Sequence, residues 1–107
     1  MTPPPERDWK YMKKVKEDLL ADLCEQINGQ AMDILKSEAN SQHERYGRLY
    51  RHVEVSDAIV SDCFDDWRRS TLLMKLLALH RHGLLTSDHM QHLSEETQEK
   101  LKALKDF

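Results

Sequence analysis

Leu72-Leu73-Met74-Lys75-Leu76-Leu77-Ala78-Leu79 is the stretch on which the fold of this chain turns. At about 100° per residue its apolar side chains point in every direction, the pattern of a helix covered all round. A single neighbouring helix covers only one side. The rest must come from the C-terminal segment, a second copy of the chain, or both. Burying a leucine is worth roughly 1.5–3 kcal/mol, so two or three left bare would drive association. Leu72, Leu73, Leu76, Leu77 and Leu79 are therefore the candidate interface of a homodimer.

Upstream, this stretch belongs to a second helix expected from about Gln42 to His82. Ser41-Gln42-His43-Glu44 reads as a capping box, with the serine hydroxyl and the glutamate each satisfying a free backbone N–H. Its apolar positions Tyr46, Leu49, Tyr50, Val53, Val60, Cys63, Phe64, Trp67, Met74 and Ala78 fall in one sector. A helix of about 40 residues would be roughly 60 Å long, so a bend or break is expected near Val55-Ser56-Asp57, where the stripe thins. Gly83 ends the helix, because glycine takes the left-handed conformation without cost.

Further upstream, Met12, Val15, Leu19, Leu23, Ile27, Ala31 and Ile34 recur every three or four residues. That spacing predicts a first helix from about Trp9 to about Glu38, with Asp8 as its N-cap. Asn28-Gly29 are poor helix formers, but the stripe continues in step across them, which favours one helix. Met1–Asp8, with prolines at 3, 4 and 5, reads as a mobile leader (residues 1–8) ahead of a single helical domain (9–107). Beyond Gly83, Leu84-Leu85 insert as core, and Thr86 or Ser87 caps a short helix to His92. Ser94 then caps a last helix to about Lys105, docked by Leu93, Leu101 and Leu104. The expected architecture is all-α: a long antiparallel helical hairpin with a short C-terminal helical pair, the bundle completed by dimerisation.

Composition narrows the function classes. The 107 residues are 39% apolar and 33% charged, with a net charge of −3, which suits one domain with wide solvated faces. Residues 1–38 carry six basic and eight acidic groups, 39–83 seven and six, and 84–107 three and five. No segment is strongly basic, so nucleic acid is not the favoured partner. No apolar run is long enough to span a membrane. Without a signal peptide or paired cysteine spacing, the expected setting is the cytoplasm, with Cys24 and Cys63 as free, core-like thiols.

Four constellations invite chemistry. His80, His82, His89 and His92 could converge on zinc or nickel, but positions two apart on a helix face away from each other. Complementing the negative end of a helix explains His80 and His82 better. Asp62, Asp65 and Asp66 could form an acid site, yet Asp65 precedes Arg69 by four residues, the spacing of helix-surface ion pairs. Asp57 shares the apolar face and would need a buried partner. Arg45, Arg48 and Arg51 make a ridge beside Tyr46 and Tyr50, the candidate contact of a nucleic-acid-associated regulator. The turn Gly83-Leu84-Leu85-Thr86 has the cadence of a helix–turn–helix junction, but the helix after it lacks the Arg or Lys a major groove requires.

The sequence therefore predicts a non-catalytic helical interaction or adaptor protein, a homodimer open to a further protein partner. It expects no cofactor and no metal. A nucleic-acid regulator is the second reading and a histidine metal site the third.

Overall fold

The computed structural model describes residues 3–105. It is all-helical, with five α-helices and no strand among the described residues: α1 (Glu6–Lys36), α2 (Gln42–Phe64), α3 (Leu72–Arg81), α4 (Ser87–Gln91) and α5 (Glu95–Lys105). A 3₁₀ turn, Arg69–Thr71, leads into α3. The molecule is elongated, 51 × 28 × 23 Å, because α1 alone accounts for about 46 Å.

α1 is continuous across Asn28-Gly29 and begins at Glu6, three residues ahead of the expected start. The proline at the N-cap suits this, since its missing N–H would be unsatisfied there in any case. Pro4 is buried, and its carbonyl accepts from Arg69 Nε at 2.9 Å, which ties this end of the chain to the 3₁₀ turn. Residues 1–2 of the expected leader lie outside the described residues. Asp8 does not cap α1: it sits in the helix, fully buried.

The capping box opening α2 is present. Glu44 N–H donates to Ser41 Oγ and Ser41 N–H to Glu44 Oε1, both at 3.1 Å.

The expected single helix from Gln42 to His82 is two helices, and the break lies at Asp65-Asp66 rather than Val55-Ser56-Asp57. Asp65 is extended, and Asp66 takes a positive φ of 54°, which aspartate tolerates better than most side chains. The corner is held locally. Arg68 grips the Asp66 carboxylate through Nε at 2.6 Å and through a second nitrogen at 2.8 Å, while Thr71 Oγ1 donates to the Asp66 carbonyl at 2.6 Å. The guanidinium holds the Asp66 carboxyl below its ordinary range.

The corner turns α3 back on the base of the hairpin, where it packs between α2 and α5. Gly83 ends α3 with φ 74°, as its position predicts, and Leu84 N–H closes the turn on the Leu79 carbonyl at 2.9 Å. Thr86 caps α4, its Oγ1 accepting from His89 N–H at 3.3 Å.

Leu72, Leu73, Leu76 and Leu79 are buried within the single chain, and Leu77 is half-buried against the same core. No second copy is needed to cover them. Met12, Leu19 and Leu23 of α1 contribute to that core, as do Leu84, Leu85, Leu93 and Leu101 from the C-terminal segment. Leu84 and Leu85, in the turn, join the three docking leucines expected of that segment and complete the cover. Of the octapeptide, Met74 alone is a largely exposed apolar residue.

α5 is anchored by Asp8. Its Oδ1 accepts from the Ser94 backbone N–H at 2.8 Å, and its Oδ2 from Ser94 Oγ at 2.8 Å and Thr97 Oγ1 at 2.6 Å. A carboxylate at the positive end of a helix is favourably placed, so the residue expected to cap α1 serves the start of α5 instead.

Candidate interaction face

Beyond the base, the far halves of α1 and α2 run on as a two-helix arm. On α2 the stripe turned toward α1 is Arg45, Leu49, His52, Ser56, Ile59 and Cys63, spaced by three and four. Two bonds fix it there. Arg45 Nε donates to the Ser37 carbonyl at 2.6 Å, and His52 Nε2 lies 2.9 Å from the Ile27 carbonyl. The arm's internal seam is thus partly polar.

The apolar stripe of α2 lies elsewhere. Tyr46, Tyr50, Val53, Val60 and Phe64 run about 60–140° round the helix from the seam. At the base this stripe is covered: Phe64 is buried and stacks on Trp67 at 5.7 Å, while Val60 packs on the core. Along the arm it is bare. The expectation that Tyr46, Tyr50 and Val53 are core is overturned, since they are 68%, 59% and 53% exposed. Asp57, expected to be buried, is exposed, and Ser56 takes the buried place beside it. No buried partner for Asp57 is required.

α1 contributes to the same side. Asn28 joins Val53, Ser56, Asp57 and Val60 around a shallow cleft of about 250 Å³, which sets the facing of α1 there. Helical spacing then turns Met32 and Leu35 to that side, four and seven residues on. They are 53% and 49% exposed. Five large apolar side chains thus share one broad face, with Ala31 and Leu49 half-buried between the two helices.

The opposite flank of α2 is polar apart from Val55, which is 62% exposed. Arg48 and Arg51 border a cleft of about 300 Å³ with His43, Glu44 and Gly47. The expected ridge of three arginines is reduced to two, because Arg45 is turned into the seam. Hydrogen bonds with Ser41 hold the Glu44 carboxyl below its ordinary range, so it stands ionised beside the arginines and opposes a phosphate there.

The other constellations disperse. His89 Nδ1 accepts from Thr86 N–H at 3.0 Å, and His92 stacks on Tyr11 at 4.8 Å. His82 Nε2 lies 3.5 Å from Asp62. No group of three metal-capable side chains converges among the described residues. Burial pushes the Cys63 thiol up to about 11, too high for a nucleophile near neutral pH. The expected Asp65–Arg69 pair does not form, because the helix ends between them: Asp65 accepts from Ser61 Oγ, and Arg69 reaches Pro4. No described helix is long and apolar enough to cross a membrane. No protein-family model, curated protein or solved structure matches the chain.

Proposed function

We propose that this chain is a non-catalytic helical interaction protein that self-associates as a homodimer through the apolar face of its arm. The observation that carries this reading is the grouping of Met32, Leu35, Tyr46, Tyr50 and Val53, each about half or more exposed, on one face of a two-helix layer. Exposed large apolar side chains scattered singly need no explanation, but a contiguous patch marks an interaction site.

Area supports a second copy as the occupant. The exposed fractions of these five residues correspond to roughly 600 Å², so two copies face to face would bury at most about 1,200 Å² through them, the lower edge of a stable interface. Two such layers also make a four-helix arrangement, the ordinary way a bare hairpin completes its core. Tyrosines suit the purpose, because they bring large contact area at small entropic cost and tolerate water in the free chain. The homodimer expected from the leucine segment is thereby moved some way along the molecule, and an adaptor role would use the same face for a different protein.

Sedimentation equilibrium tests the proposal. The wild type should show a concentration-dependent dimer, and Tyr50→Glu should be monomeric with unchanged helicity. A wild type that is monomeric throughout, or a dimer indifferent to Tyr50→Glu, would overturn it.

A further inference from the structure

Charges bordering the apolar face are unevenly distributed along the arm, and we infer from them that the second copy docks with its arm antiparallel to the first. The inference rests on the self-association proposed above and specifies its geometry. Near the tip, helical spacing puts Lys36 of α1 at the outer edge of the face and His43 of α2 at the boundary between the face and the Arg48–Arg51 cleft. Toward the base, the same edges carry Glu25 on α1 and Asp57 on α2. All four side chains are exposed, and none takes part in an ion pair among the described residues. Glu38 sits in the turn past the end of α1, so helical spacing does not assign it to the face.

Position along the arm follows from the two cross-hairpin bonds. Arg45 meets Ser37 and His52 meets Ile27, so Tyr50 lies level with residues 30–31. That level is also the middle of the apolar patch. Two layers packed on this face can be related by either of two twofold axes. An axis along the arm leaves the arms parallel and lays α1 over the partner's α2. Lys36 then meets the partner's His43 at the tip, and Glu25 meets the partner's Asp57 toward the base. The second of these is a like-charge contact, and the first brings no opposite charge to Lys36.

An axis across the arm, through the level of Ala31 and Tyr50, makes the arms antiparallel and lays each helix over its own copy. Lys36 then falls opposite the partner's Glu25, since both are about five and a half residues from the axis and on the same edge. His43 falls opposite the partner's Asp57, each seven residues away. Both contacts occur twice by symmetry, and both are of the attractive or hydrogen-bonding kind. The tip at Ser41 reaches only the level of the partner's Ile59, one turn short of Phe64 and Trp67, so the base leaves room for it. Charge patterns of this kind contribute little to total affinity and much to orientation.

Charge reversal distinguishes the two arrangements by sign. In the antiparallel dimer Lys36→Glu opposes two carboxylates at two symmetric contacts, and dimerisation should weaken by roughly fivefold at low salt. Glu25→Lys should weaken it similarly, and the double reversal should recover wild-type affinity. In the parallel dimer Lys36→Glu would not weaken association, and Glu25→Lys would tighten it. A second readout is the separation of spin labels on Ala39→Cys in a Cys24→Ser background, Cys63 being buried. Antiparallel arms should hold the labels roughly 25 Å or more apart, against under about 15 Å for parallel arms. A dimer whose affinity is unmoved or raised by Lys36→Glu, or whose tip labels lie close together, would overturn the antiparallel geometry and leave self-association standing. A wild type that never dimerises would remove both.

Discussion

The base and the arm are built from the same two helices and differ in what covers them. At the base, α1 and the end of α2 meet α3, α5 and the turn leucines, and the apolar stripe of α2 disappears under Trp67 and the core. Along the arm the same stripe continues without a cover, and Tyr46, Tyr50 and Val53 stand in solvent. The seams differ too. Leu19, Leu23 and Cys63 pack the base, whereas Arg45, His52 and Ser56 occupy the arm, with Arg45 bonded to the Ser37 carbonyl and His52 to that of Ile27. The base therefore holds the buried core, and the arm carries the exposed apolar surface.

The sharpest way to break this comparison is a pair of truncations measured below the dimerisation range. Leu76→Ala removes a fully buried side chain and should cost about 2–5 kcal/mol, the range for a core leucine that leaves a cavity. Tyr50→Ala, of similar or larger size, should change monomer stability by less than about 0.5 kcal/mol, as surface substitutions do. Urea unfolding at low protein concentration measures both. Comparable losses would mean that the arm's outer face is part of the folding core.

A second test addresses how the base is closed. Asp8 is fully buried and accepts from Ser94 twice and from Thr97 once. Asp8→Ala leaves those donors without their acceptor, and charged hydrogen bonds are worth about 1.5–3 kcal/mol. The expected loss is about 2–3 kcal/mol, with faster amide exchange in α5 than in the arm. Unchanged protection of residues 95–104 would show that the Leu93 and Leu101 contacts hold α5 alone.

What the sequence makes legible follows the range of the physics involved. Caps act within four residues, so Ser41, Gly83, Thr86 and Ser94 announce helix ends correctly. The continuity of α1 is equally legible, because its stripe runs unbroken past Gly29. The face of α2 is not. Apolar periodicity selects Tyr46, Tyr50 and Val53, the side that gains most from burial, whereas α1 is met by Arg45, His52 and Ser56. Periodicity identifies a face suited to a partner without saying which partner supplies it. The break at Asp65-Asp66 escapes for another reason: neither residue is Gly or Pro, and the corner depends on Arg68 and Thr71 closing over Asp66. Asp8 escapes because its donors lie 86 and 89 positions away, beyond any local pattern. The leucine segment is a sound guide to burial, and the single chain supplies its cover because Leu84 and Leu85 join it.

The smallest expected effect lies at the far end of the arm and separates local from global stability. Ser41 is exposed, and its hydroxyl accepts one of the free N–H groups of α2. Ser41→Ala should cost about 1 kcal/mol, the usual value for a lost N-cap side chain. Glu44 keeps the backbone N–H of residue 41, the larger cause of its lowering, so its carboxyl should stay below its ordinary range. The tip is remote from the leucine core, and fraying there opens few buried contacts. Amide exchange should therefore quicken over the first turn of α2 and the end of α1, with α3 unchanged. If α3 amides lose protection in step with those at residues 42–46, arm and base unfold as one unit and the division drawn between them fails.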